Sequence, residues 1–159
     1  MKCNLPLDVA VLMDSSGSIS RRNFQVFKRF IKSIITGFEI SEDHTHIAII
    51  EYSTKASVQL KFNDFTGRAL NRNNVKGRVN RIPHRRGKTF IDRALRLANE
   101  EVFTEKAGMR DWVKKVIFYW LQDLDGQNSL NFIRFLRVVI TPEIAWISSD
   151  FFESLLLPQ

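Results

Sequence analysis

The chain has 159 residues, of which 44% are apolar, enough for one domain with a genuine core, and this composition excludes a disordered chain. A net charge of +7 with a pI near 9.9 admits polyanionic partners, namely nucleic acid, sulfated glycans or acidic membrane. No stretch approaches the roughly 18 apolar residues of a membrane span, the N-terminal MKCNLPLD lacks a secretory apolar core, and the single cysteine, Cys3, has no internal partner.

In chain order, Val9 to Met13 is a continuous apolar run, as expected of a strand buried on both faces. From Phe24 the apolar positions fall at Phe27, Phe30, Ile31, Ile34, Ile35 and Phe38, a helical stripe with a stop near Gly37. HIAIIEYS, residues 46 to 53, reads as a second strand, and Ala56, Val58, Leu60 and Phe62 alternate as in a half-exposed edge strand joined by a turn at Thr54 and Lys55. Residues 70 to 82 are weakly helical. A clearer helix follows Thr89, with Ile91, Ala94, Leu95, Ala98 and Val102 on one face, and VKKVIFYWL, residues 113 to 121, is a third buried strand. This order predicts an α/β, doubly wound, mostly parallel sheet with one antiparallel edge.

In such a sheet ligands bind beyond the carboxyl ends of the strands, where the strand order reverses. LMDSSGSIS, residues 12 to 20, puts a carboxylate and several hydroxyls there. Asp14, Ser16 and Ser18 suit a hard cation such as magnesium, with Gly17 letting the backbone curl around it. Helix capping by Ser18 or Ser20 accounts for the same hydroxyls equally well.

DVAVLMDSSGSIS, NFQVFKRFIKSII, HIAIIEYSTKASVQLKFNDF and GKTFIDRALRLANEEVF together resemble the von Willebrand factor type A domain, over roughly residues 6 to 121. The matrix branch, matrilins and type VI collagen chains, is the most similar. The resemblance implies a Rossmann-like fold, with residues 6–126 as the core. It also implies a metal-ion-dependent adhesion site in which Asp14, Ser16, Ser18, Thr89 and a later aspartate hold Mg2+ or Mn2+. Thr89, with Asp92 three residues on, also reads as a capping-box helix start. For the last ligand, VIFYWLQDLDGQN departs from the family pattern. Asp123 fits the count from Lys115, whereas Asp125 fits the following glycine and is preferred. Residues 127–159 lack the family's closing elements in recognisable form. They read either as an edge strand over 132 to 140 plus a helix from Thr141, or as a poorly packed tail.

By the same resemblance, the partner is an extracellular matrix or cell-surface protein offering a carboxylate, and the compartment is extracellular. No enzyme is expected, because His44 and His46 lie at the opposite, entering end of the second strand, His84 is in a basic loop, all three read as solvated surface groups, and no general base is evident. Residues 68 to 93 form a basic stretch in which Arg78, Arg81, Arg85, Arg86 and Lys88 are candidates for a sulfated glycosaminoglycan. No nucleic acid is expected, since Phe90 is the only aromatic residue there able to stack a base.

Overall fold

The computed structural model describes residues 4–120 and the strand at 136–141. One five-stranded sheet has the order β3-β2-β1-β4-β5, with β1 Leu7–Asp14, β2 His46–Tyr52, β3 Ala56–Leu60, β4 Lys114–Trp120 and β5 Leu136–Thr141. β1 lies between β2 and β4 and is parallel to both, with Val9 opposite Ile47 and Val116. That central place explains its unbroken apolar run, since Val9 to Met13 are buried whichever face they point to. The expected antiparallel edge is β3, and β5 adds a second on the far side, pairing Val116 with Ile140. Asp123 and Asp125 lie outside the described residues, as do Cys3 and the helix expected after Thr141, and Thr141 itself ends β5.

Helices cover both faces. α1 (Arg21–Gly37) turns Phe24, Phe27, Ile31, Ile34 and Ile35 onto the sheet. α2 (Arg72–Arg81) adds Val75 and Val79 to the same core, with Val9, Val11, Met13, Ile47 and Ile49 beneath. α3 (Ile91–Leu97) runs into a wider turn over Ala98–Val102 and lays Ala94, Ala98 and Val102 on Ala10, Leu12, Ala48 and Ile50 of the opposite face. Small residues let this helix lie close to the sheet. Leu95 departs from its expected place on that apolar face and is exposed, because the buried stripe of α3 runs through Ala94 and Ala98.

Strand order reverses at β1: the chain leaves it through α1 toward β2 and returns through α3 to β4 on the other side. The carboxyl end of β1 therefore opens into the crevice between the two windings.

Candidate metal centre

Asp14 closes β1, opposite Tyr52 of β2, and Met13 lies opposite Glu51. Since side chains alternate along a strand, Asp14 and Glu51 point to opposite faces. The Asp14 side chain accepts a 2.7 Å hydrogen bond from the Ser16 amide, which folds the chain tightly around the carboxylate. The hydroxyls of Ser16 and Ser18 lie 2.9 Å apart. Ser20 is the helix cap, accepting from the Asn23 amide at 3.1 Å, which leaves Ser16 and Ser18 outside any capping role.

Burial, more than any other influence, pushes the Asp14 carboxyl above the ordinary carboxylate range. The hydrogen bonds from Ser16 oppose this, the Glu51 charge adds to it, and His84 opposes it. A buried carboxylate raised in this way gains strongly from a cation that restores its ionised form.

The loop at 82–90 is stitched to this turn. The Arg86 amide donates to Ser15 O and the Gly17 amide to Gly87 O, each at 2.8 Å. On its other side the loop holds the end of β2, with the Lys88 amide donating to the Thr54 hydroxyl and the Phe90 amide to Ser53 O. Thr89 follows Gly87 by two residues, within about 7 Å of chain. α3 begins at Ile91 with Phe90 in the cap position and no side-chain cap bond, so the expected Thr89–Asp92 capping box does not form. Thr89 is exposed, with its hydroxyl uncommitted among the described residues.

Gly87 has φ +98°, and a β-carbon there would strike the Thr54 hydroxyl, so both the turn and the close approach require glycine. Gly17 packs with its α-carbon against the Gly87 backbone, where an added carbon would sit 3.3 Å from Gly87 O.

The sequence gives little notice of three further participants. Glu51, fully buried, accepts from the Ser15 hydroxyl, from Ser57 at 3.0 Å and from Arg85 at 3.1 Å. Its one visible sign is a charge in the middle of an otherwise apolar buried strand. Tyr52 is buried beside Asp14, and burial together with the Asp14 charge pushes its phenol far above its usual range. His84 corrects the expectation of solvated histidines: it stacks on Phe24 at 4.7 Å, and its Nε2–H donates to Ser16 O at 3.2 Å. His44 and His46 are also partly buried, at the opposite end of β2, because the Arg110 loop folds over them.

Of the basic candidates, Arg78 donates to Gln59 O and covers the Phe65 ring, and Arg85 pairs with Glu51. Arg81, Arg86 and Lys88 are exposed. Among the described residues no three His, Cys, Asp or Glu side chains converge.

A doubly wound sheet bearing an Asp-x-Ser-x-Ser turn at its switch point and a threonine loop beside it defines a von Willebrand factor A type of domain. The model of the von Willebrand factor type A domain matches residues 8–129, and the chain belongs to that family. Matrilin-3 of Gallus gallus is 30% identical over 107 residues, covering 67% of this chain and 23% of the relative. Collagen alpha-4(VI) chain of Mus musculus is 28% identical over 128 residues, covering 78% and 5%. Among solved structures, proximal thread matrix protein 1 from the mussel byssus superposes with a TM-score of 0.70 at 20% identity over 80% of this chain and 34% of its own. A second structure of that protein, described as having a zinc-occupied MIDAS motif, gives 0.65 at 28% identity over 75% and 29%. The chain thus spans less than a quarter of matrilin-3 and a small fraction of the collagen chain. Among the described residues no helix is long and apolar enough to cross a membrane.

Proposed function

We propose that the domain is a non-enzymatic matrix-adhesion module, extracellular like its matrix relatives, that captures a protein carboxylate through a divalent ion held by Asp14, Ser16, Ser18 and Thr89, with Asp125 as the further ligand. The observation that carries this reading is the 2.9 Å separation of the Ser16 and Ser18 hydroxyls beside the Asp14 carboxylate. Adjacent corners of a magnesium octahedron with bonds of about 2.1 Å lie about 3 Å apart, so this pair is already spaced as neighbouring ligands. When bound, the ion supplies an open coordination position and positive charge that few acidic ligands offset, and an incoming carboxylate answers both.

The chain's own groups also support binding over turnover. The nearest imidazole, His84, has its Nε2 engaged with Ser16 O and its face on Phe24, and the Glu51 carboxylate is enclosed by Ser15, Ser57 and Arg85. The His84 nitrogen that meets the turn is thus a donor, and Glu51, on the opposite face of the sheet from Asp14 and held by three donors, is not placed to take a proton from water at the cup. Polyanion binding through residues 78–88 as the sole function is disfavoured, because the buried Glu51 carboxylate neutralises Arg85 at the centre of that stretch.

The test is calorimetric titration with Mg2+, Mn2+ and Zn2+ of the wild type and Asp14→Ala, followed by capture of matrix proteins with and without chelator. Uptake lost in the variant, with chelator-sensitive capture, supports the reading. No uptake by the wild type overturns it.

A further inference from the structure

α1 carries five lysines and arginines and no acid, and α2 carries four and no acid. The opposite layer is mixed, with Asp92, Glu100, Glu101 and Glu105 among its bases. The two basic helices pack side by side, and their seam concentrates the charge. Lys28 donates from Nζ to Asn80 O and Lys32 from Nζ to the Asn80 side-chain oxygen, each at 2.9 Å. Two ammonium groups thus converge on one neutral residue.

Along α1, Lys28 and Lys32 follow Arg21 by seven and eleven positions, which at 100° per residue puts all three within about 20° of one line. On α2, Lys76 lies one turn before Asn80 on the same stripe, and Arg81 follows it. Among the described residues the ion pairs engage Arg72, Arg85 and Arg110, and none of these five cations has a carboxylate. Burial, then the Lys32 charge, lowers the Lys28 pKa, the mark of cations crowded without an anion between them.

We infer that the α1–α2 seam, where Arg21, Lys32, Lys76 and Arg81 stand around the buried charge of Lys28, is a seat for the sulfate groups of a sulfated polysaccharide, separate from the metal cup. A linear polyanion lying along the seam meets a row of cations on rigid helices and relieves their mutual repulsion. The surface favours a glycan over single-stranded nucleic acid. Among the described residues the large exposed apolar side chains are Leu5, Val26, Leu95 and Trp112, so neither helix presents a fully exposed aromatic ring on which a base could stack.

The experiment is heparin titration in EDTA at fixed ionic strength, which removes the metal site from the readout. Arg21→Gln/Lys32→Gln/Arg81→Gln is compared with Arg96→Gln/Lys106→Gln/Lys114→Gln, an equal loss of charge elsewhere. Lys28 is left in place because it is 6% exposed and its loss endangers the fold. The seam variant is expected to bind heparin about tenfold more weakly and the control within about twofold of wild type. Equal weakening in both variants shows attraction by net charge alone and overturns the seat, as does a wild type that does not bind heparin. Displacement of heparin by duplex or single-stranded DNA at matched charge assigns the seam to nucleic acid and likewise overturns the proposal.

Discussion

The Ser15 hydroxyl donates to the buried Glu51 carboxylate, tying the middle of the turn at residues 14–18 to the neighbouring strand across 36 residues of sequence. Ser15 is also fixed by its backbone, its amide on Tyr52 O and its carbonyl under the Arg86 amide. Asp14 and Ser16 flank this anchored residue, so Glu51 fixes the shape of the turn at residues 14–18 from the face opposite Asp14. Replacing Glu51 by Leu leaves the Ser15 and Ser57 hydroxyls without their acceptor and frees Arg85, at an expected cost of about 2–4 kcal/mol. Glu51→Gln keeps an acceptor oxygen and is expected to cost roughly half as much. Urea denaturation gives the stabilities, and manganese titration should show affinity falling in Glu51→Leu and largely recovered in Glu51→Gln.

Removal of the proposed metal ligands should separate binding from folding. Burial already makes the Asp14 charge unfavourable in the metal-free protein, so Asp14→Ala is expected to leave metal-free stability within about 1 kcal/mol while abolishing metal uptake. Ser16→Ala and Thr89→Ala each remove one neutral ligand and are expected to weaken binding about tenfold, or about 1.4 kcal/mol. A Thr89→Ala variant with wild-type affinity would remove that residue from the cup.

The glycines offer a contrast that only the backbone explains. Gly87→Ala drives a methyl group into Thr54 at positive φ, in the loop that braces both β1 and β2, and should cost more than about 2 kcal/mol along with metal affinity. Gly77 sits within α2 with nothing within 4 Å of an added carbon, so Gly77→Ala should stabilise by about 0.5–1 kcal/mol. Thermal melts of the two variants, moving in opposite directions, are the check.

These residues also mark how far the sequence could be read. Hydrophobic period alone places β1, α1, β2 and β3, because each buries a stripe whose spacing the backbone geometry dictates. The place of Asp14, Ser16 and Ser18 at the carboxyl end of β1 was legible for the same reason, since they stand where an apolar run ends. The partnership of Glu51 with Ser15 and Arg85 was not, since it depends on the parallel register of β1 on β2 and on a loop from a third segment. The histidines were misjudged on similar grounds: polarity suggests solvent, yet Phe24 and the Ser16 carbonyl give His84 a partly buried place. Leu95 failed differently, as the tight approach of α3 admits alanine, and the leucine beside it faces out.

At the opposite end of the sheet, Arg110 closes the start of β1 over β2. It grips Asp8 through both Nε and a terminal nitrogen and also donates to the carbonyls of Leu7, Glu42 and His44. Beneath it the ring of His46 stands opposite Asp8, with neither nitrogen hydrogen-bonded to a described residue. Burial first, then the Arg110 charge, lowers the His46 pKa, while Asp8 and Glu42 pull the other way without prevailing. The folded chain thus resists a proton that the unfolded chain accepts at about 6.5. As pH falls below that value the unfolded state gains the proton first, so stability is complete above it and declines toward the lower folded pKa, then levels off. The slope stays below the about 1.4 kcal/mol per pH unit that one whole proton gives, because the ring is only partly buried. Urea midpoints of wild type and His46→Leu at pH 7.5 and pH 5.5 separate this contribution from that of the carboxylates, which both chains share. The wild type should lose more stability than the variant between the two conditions, and equal losses would show that His46 takes up its proton as freely in the folded chain as in the unfolded one.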